Sequence, residues 1–156
     1  KSYFQERNIN NNNYGGKAMI KVGESLTELK IKNWVLSDNP SNEEEFKKMF
    51  ALVDGEYDNG VAILNTDHTT WGVTWEDIVL KQAELEYQEE VNEYQRQRAR
   101  EYPSYADQFD QIFHDGIDAW KASIQVVKDK YPKQTMDSDE LERRKQQALT
   151  DLETES

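Results

Sequence analysis

The chain has 156 residues and a net charge of −12, with 36% hydrophobic and 32% charged residues. A surface this acidic repels phosphate, which argues against nucleic acids and anionic membranes as partners. The low hydrophobic content predicts a thin core that shares apolar surface with another protein. The absence of cysteine excludes disulfides, thiol catalysis and cysteine-based metal sites, and apolar runs such as Val61–Leu64 are far shorter than the roughly 20 residues of a transmembrane helix.

The sequence predicts an α+β fold that is mainly α-helical. Its opening stretch, with asparagines from Asn8 to Asn13, cannot supply a packed core and is typical of an extended segment. The predicted segments are an extended asparagine-rich arm (1–17), a small α+β domain (18–73), a long helix (74–101), a helical hairpin module (102–133) and a C-terminal amphipathic helix (134–156).

Short strands and one helix are predicted in the small α+β domain. Ala18–Val22 and Trp34–Leu36 are candidate strands because they are apolar and bounded by turn-forming residues. Ser41 with Glu44 three residues later forms a capping box, which predicts a helix start. Val61–Leu64 is a further candidate strand.

The turn region of this domain also suggests a calcium loop. Asp54, Glu56 and Asp58 alternate as the first ligands of an EF-hand do. Positions six and twelve of that motif require glycine and glutamate, and here they are Asn59 and Asn65. The pattern therefore favours a solvated hairpin turn over a metal site.

A long helix is predicted from Trp75 to Arg100, opened by a capping box at Thr74 and Asp77. It lacks proline and glycine, and helix-forming residues dominate it. Such a helix is too long for a small core to cover. Its apolar seam could pack within the chain or against copies of the chain, and we expect it to mediate assembly, with copies of the chain or with another protein. The seam consists of Leu80, Ala83, Tyr87, Val91 and Tyr94, and the charged Arg98 follows at the same spacing.

Two short amphipathic helices are predicted to follow. Pro103 breaks the long helix, Ser104 caps the next one, Gly116 ends it and Pro132 ends its successor. The two helices would form an αα-hairpin whose apolar stripes bury each other. The predicted hairpin core is Phe109, Phe113, Trp120, Ile124 and Val127.

The first hairpin helix also carries an acidic face. Asp107, Asp110 and His114 are spaced i, i+3 and i+7, which places them on one side of the helix. They could form a metal or acid–base cluster, or a capped, solvated face with an Asp110–His114 pair. A divalent metal site would still lack a second imidazole or a converging carboxylate. The solvated face is favoured, and we expect no catalytic, cofactor or metal residues.

The C-terminal stretch has a narrow apolar stripe among charges. Isolated helices of this length are marginal in water. The helix therefore needs a surface to lie on. Its stripe consists of Leu141, Ala148, Leu149 and Leu152.

Two segments of the hairpin carry a family resemblance. Residues 102–110 fit the pattern "YPS..DQ.D" and residues 120–133 fit "W...I..VK..YPK". These residues resemble a module of virion proteins of tailed bacteriophages, particularly those of marine and cyanobacterial hosts. The stretch from 25 to 81, with its "WVL" and "GVTW", is similar to another module of such proteins. The resemblance implies a place in the virion, in contact with other virion proteins, and a homo-oligomer such as a trimer.

Three functions remain open from the sequence. The first is a virion structural protein of the tail, fibre or baseplate region, which acts through protein–protein assembly and without catalysis. The second is a tail-fibre assembly chaperone that is absent from the mature particle. The third is an acidic DNA mimic that inhibits a host protein, although the charges of the chain interleave along its helices as on ordinary solvated faces.

Overall fold

The computed structural model describes residues 20 to 155, and within that range it confirms a mainly α-helical α+β fold. The predicted arm, residues 1–17, lies outside the described residues. A three-stranded antiparallel sheet is followed by one long helix, a helical hairpin and a terminal helix. The elements are α1 (Val22–Glu28), β1 (Trp34–Leu36), α2 (Glu43–Met49), β2 (Phe50–Glu56), β3 (Ala62–Asn65), a 3-10 turn (His68–Thr70), α3 (Trp75–Glu101), α4 (Tyr105–Asp115), α5 (Ile117–Lys130) and α6 (Ser138–Glu155).

The strand predicted at Ala18–Val22 is wrong at its described end, because Val22 begins helix α1. Val22, Ser25 and Leu26 are all fully buried, and their spacing of three and four residues is that of a helix face. The Asn39 side chain accepts a hydrogen bond from the Val22 amide at 3.0 Å. The apolar run was too short to separate a strand from the first turn of a buried helix.

Helix α2 forms as predicted, with its cap displaced by one residue. The Asn42 side chain, and not Ser41, accepts the hydrogen bond from the Glu45 amide, at 2.9 Å. Ser41 instead donates to the Glu45 carboxylate from both its amide and its hydroxyl, each at 2.8 Å. The two bonds of a capping box are therefore made by different residues: Asn42 accepts from the Glu45 amide, and Ser41 donates to the Glu45 carboxylate.

The sheet has the strand order β1-β2-β3. Trp34 pairs with Leu52, and Val53 pairs with Leu64. The register shifts between Val53 and Gly55, so β2 continues through an irregularity to Glu56 before the chain turns. The predicted strand Trp34–Leu36 is confirmed, and the one predicted at Val61–Leu64 is observed one residue later as β3.

The core lies between α1, α2, the sheet and the first turn of α3. Phe46 contacts Phe50 with ring centroids 4.8 Å apart, and Phe50 meets Trp71 edge-on at 4.7 Å. The Trp71 indole N–H donates to the Asn65 carbonyl at 3.0 Å, so its polar atom is satisfied despite burial. The buried cluster comprises Val22, Leu26, Phe46, Phe50, Trp71, Val73, Trp75 and Ile78.

Helix α3 is confirmed as the long helix, with 27 residues and a length of about 40 Å. Its predicted capping box is present. The Thr74 hydroxyl accepts from the Asp77 amide at 3.1 Å, and the Asp77 carboxylate accepts from the Thr74 amide at 2.8 Å. Only its first turns touch the core, so most of the helix projects beyond it.

The predicted partner interface on α3 is wrong at its centre, because α6 of the same chain packs along this helix. Tyr87 and Val91 are 7% and 6% exposed, while Leu80, Ala83 and Tyr94 are half-buried. The Tyr87 hydroxyl accepts a hydrogen bond from the Asp137 amide at 3.1 Å. The seam is therefore an internal packing face. Its pattern could not tell an internal from an external partner.

Ion pairs join α6 to α3. The Arg144 guanidinium lies 4.4 Å from the centre of the Tyr87 ring and contacts the Glu90 carboxylate at 2.7 Å. Lys145 pairs with Glu84 at 3.3 Å. Leu152, near the end of α6, reaches the main core. The expectation that the C-terminal helix needs a surface is confirmed, and the surface is α3.

Candidate interaction surface

The hairpin of α4 and α5 turns at Gly116, whose φ of 85° lies in the left-handed region that favours glycine. Across the hairpin, the Trp120 indole N–H donates to the Gln108 side chain at 3.0 Å. The Ser123 hydroxyl donates to the Gln111 side chain at 2.9 Å. The predicted hairpin is therefore confirmed, but its contact face is partly polar and carries two glutamines.

The predicted hairpin core is wrong for its two phenylalanines. Phe109 is 70% exposed and Phe113 is 83% exposed. Of the other predicted members, Val127 is buried, whereas Trp120 and Ile124 are half-buried. The physical reason is rotation about the helix axis: Phe109 is one residue beyond Gln108, so it lies about 100° away from the side that faces α5.

Three aromatic residues on α4 form what we call the aromatic stripe: Tyr105, Phe109 and Phe113. They are spaced i, i+4 and i+8, and Tyr105 is 82% exposed. Together they present on the order of 450 Å² of ring surface to solvent, since such rings bury 150–250 Å² each when covered. Ile117, which is 54% exposed, begins α5 just after the turn at Gly116. Apolar patches of this size on a protein surface often mark an interaction site.

The hairpin that carries the stripe is acidic, and Asp110 lies beside the stripe. Residues 102–120 include four aspartates and neither lysine nor arginine. The Asp110 side chain is 75% exposed and lies 3.4 Å from the His114 imidazole, which confirms the predicted pair. Asp118 is 96% exposed, and Lys121 approaches it only to 3.9 Å. The other two aspartates are Asp107, which accepts a hydrogen bond from the Ser104 hydroxyl, and Asp115.

The hairpin is held at the end of α3 by Arg98, which donates to the carbonyls of Tyr131 at 2.8 Å and Lys128 at 3.1 Å. These carbonyls belong to the C-terminal end of α5, where a cation is favourable. Glu101 accepts hydrogen bonds from Lys130 and then Tyr131, and these bonds lower the pKa of its carboxyl group. Sequence reasoning missed this role of Arg98. The only signal was a charged residue at the end of an apolar seam.

The acidic residues and histidines of the described chain do not gather into a metal site. Among residues 20–155, no three His, Asp or Glu side chains lie where they could hold a metal ion. Asp54 and Glu56, two residues of the suggested calcium loop, belong to strand β2. No helix in this part of the chain has both the length and the apolar character needed to cross a membrane.

The chain was also compared with known proteins. No protein-family model, no curated protein and no solved structure matches it. The aromatic stripe and the exposed Asp110 beside it are the features on which the functional proposal depends, together with the sequence resemblance of the hairpin.

Proposed function

We propose that this protein is a non-catalytic structural component of a bacteriophage virion, in the tail, fibre or baseplate region, and that it acts through protein–protein contacts. The observation that carries the proposal is the aromatic stripe, whose three rings are 70–83% exposed. Each such ring forgoes about 1.5–3 kcal/mol of burial free energy as long as it stays in water. A partner that covers the stripe would recover this free energy. The virion context comes from the sequence resemblance.

The way the stripe is displayed supports a docking role. Helix α4 lies beyond the C-terminal end of α3, remote from the buried aromatic cluster at the start of that helix. Arg98 and Glu101 fix the hairpin through contacts with its second helix. These contacts leave α4 free to present its outer side, so the rings are available to a partner without rearrangement of the core.

We place the partner-binding surface on α4 and not on the seam of α3. Helix α6 of the same chain covers Tyr87 and Val91, so the centre of that seam is not available to a partner. The partners we propose are other virion proteins. A homo-oligomer, which the resemblance implies, would need a surface other than that seam.

Site-specific photo-crosslinking tests the proposal. A benzophenone amino acid replaces Phe109 in the full chain, and a matched variant carries it at Val61, an exposed apolar residue of the sheet region. The chain is expressed during phage infection, and purified particles are analysed by mass spectrometry. We expect the chain in the particles, with a crosslink to another virion protein from position 109 and not from position 61. Equal crosslinking from both positions would contradict the role of the stripe.

The same experiment separates the assembly chaperone from the structural component. A chaperone would be crosslinked through position 109 in infected cells and would be absent from purified particles. A DNA mimic is less well supported, because acidic side chains of α3 and α6 such as Glu90 and Glu140 pair with Arg144. It would appear as inhibition of a host nucleic-acid enzyme without any virion crosslink.

A further inference from the structure

We infer that the aromatic stripe binds a basic amphipathic helix of a partner protein. This inference rests on the proposed function, since it assumes that the stripe is a docking surface, and it adds the chemistry of the occupant. It depends on two observations, the spacing of the rings along α4 and the distribution of charge around them.

The spacing of the rings favours a helix as the occupant. Tyr105, Phe109 and Phe113 are four residues apart, and side chains at this spacing form a continuous ridge on a helix. Such a ridge packs into the groove between side-chain rows of a second helix. The ridge spans two turns, or about 12 Å. A helix with apolar residues at steps of three and four over two to three turns would therefore cover all three rings.

The charge around the rings favours basic flanks on that helix. Gln108 precedes Phe109 and faces α5, whereas Asp110 follows Phe109 and lies about 100° away on the opposite side. The stripe is thus bordered by α5 on one side and by Asp110 on the other. Asp110 is 75% exposed at this border, whereas Asp107 and Asp115 lie about 160° around the helix from the nearest ring. Lysine or arginine beside the apolar stripe of the partner would be attracted to Asp110 and to the net charge of −12.

The same distribution argues against a second copy of the chain as the occupant. If two copies of α4 packed antiparallel through their stripes about a two-fold axis, the Asp110 side of one would face the Asp110 side of the other. The net charge of −12 on each chain adds a general repulsion between copies. A basic helix would experience neither the repulsion between two Asp110 sides nor the repulsion between two acidic chains.

Peptide binding to the full chain tests the inference. The probes are two synthetic amphipathic peptides of about 18 residues with the same leucine stripe, one flanked by lysines and the other by glutamates. Binding is measured by fluorescence anisotropy. We expect the lysine peptide to bind at least about tenfold more tightly than the glutamate peptide, and to weaken as salt is added.

Variants of the chain locate the binding. The double variant Phe109→Ser, Phe113→Ser should lose the binding of the lysine peptide, and Asp110→Asn should weaken it. Val61→Ser, a matched change at an exposed apolar residue outside the hairpin, should leave it unchanged. Unchanged binding in the double variant would mean that the peptide is held only by the general negative charge, and the inference would be overturned.

Two further outcomes would overturn the inference. One is equal affinity for both peptides, which would leave no role for the aspartates. The other is no binding together with self-association that the double variant abolishes, which would identify a second copy as the occupant. Failure here is distinct from failure of the proposed function. If position 109 crosslinks to a virion protein and the lysine peptide does not bind, the docking surface stands and only the partner's chemistry is wrong.

Discussion

The same substitution at two phenylalanines should have very different effects on stability. Phe46 is 2% exposed in the aromatic core, whereas Phe113 is 83% exposed on the aromatic stripe. Phe46 also contacts Phe50, Trp71 and Trp75 with ring centroids 4.8 to 5.7 Å away. Replacing each phenylalanine by alanine therefore compares a core residue with a surface residue of the same chemistry.

The expected magnitudes follow from burial. Phe46→Ala removes a buried ring and leaves a cavity, which costs about 3–5 kcal/mol. At roughly 2–4 °C per kcal/mol for a chain of this size, the unfolding midpoint should fall by roughly 6–20 °C. About one sixth of Phe113 is covered, so Phe113→Ala should cost roughly 0.5 kcal/mol or less.

Urea unfolding followed by far-UV circular dichroism measures both free energies of unfolding. Tryptophan fluorescence gives a second probe for the core, because Trp71 and Trp75 surround Phe46. Equal losses of stability in the two variants would refute the orientation of α4, since they would mean that Phe113 is packed as tightly as Phe46. A loss confined to Phe46→Ala would support the exposed position of Phe113 on α4.

Three other predictions address the helix contacts. Hydrogen bonds from Arg143 and then Arg144 lower the pKa of Glu140 from its ordinary value of 4.5 to about 2. The ionised Glu140 carboxylate therefore stabilises the fold fully above pH 4.5, and this stabilisation is lost as the pH falls through 2. Glu140→Gln should flatten the pH dependence of the unfolding midpoint between these two pH values. A profile that matches the wild type would count against these bonds. Arg98→Ala should speed hydrogen exchange in the last turn of α5 and leave α6 unchanged, and uniform acceleration in both helices would rule out a local role. Thr74→Ala should lower the free energy of unfolding by about 0.5–2 kcal/mol in urea, with Thr74→Ser as the control that keeps the cap.

Local signals in the sequence were enough to predict most elements of the described chain. Thr74 and Asp77 marked the start of α3, Gly116 marked the hairpin turn, and Trp34–Leu36 formed the predicted strand. These features depend on hydrogen bonds and backbone preferences within a few residues, which a short window of sequence contains. The prediction was wrong where the apolar run was too short to separate a helix from a strand. Val22, for example, begins a buried helix and not a strand.

The identity of the surfaces that meet was decided only by the tertiary structure. An apolar seam shows that a helix packs against another surface, but it does not show whether that surface belongs to the same chain or to another protein. Tyr87 and Val91 pack against α6 of the same chain, so the predicted partner interface is an internal contact. Phe109 and Phe113 were expected to face α5, and a difference of about 100° around α4 placed Gln108 there and left the rings in solvent. Periodicity gives the angular spacing of side chains around a helix, whereas the direction in which the helix faces depends on distant residues that pack against it.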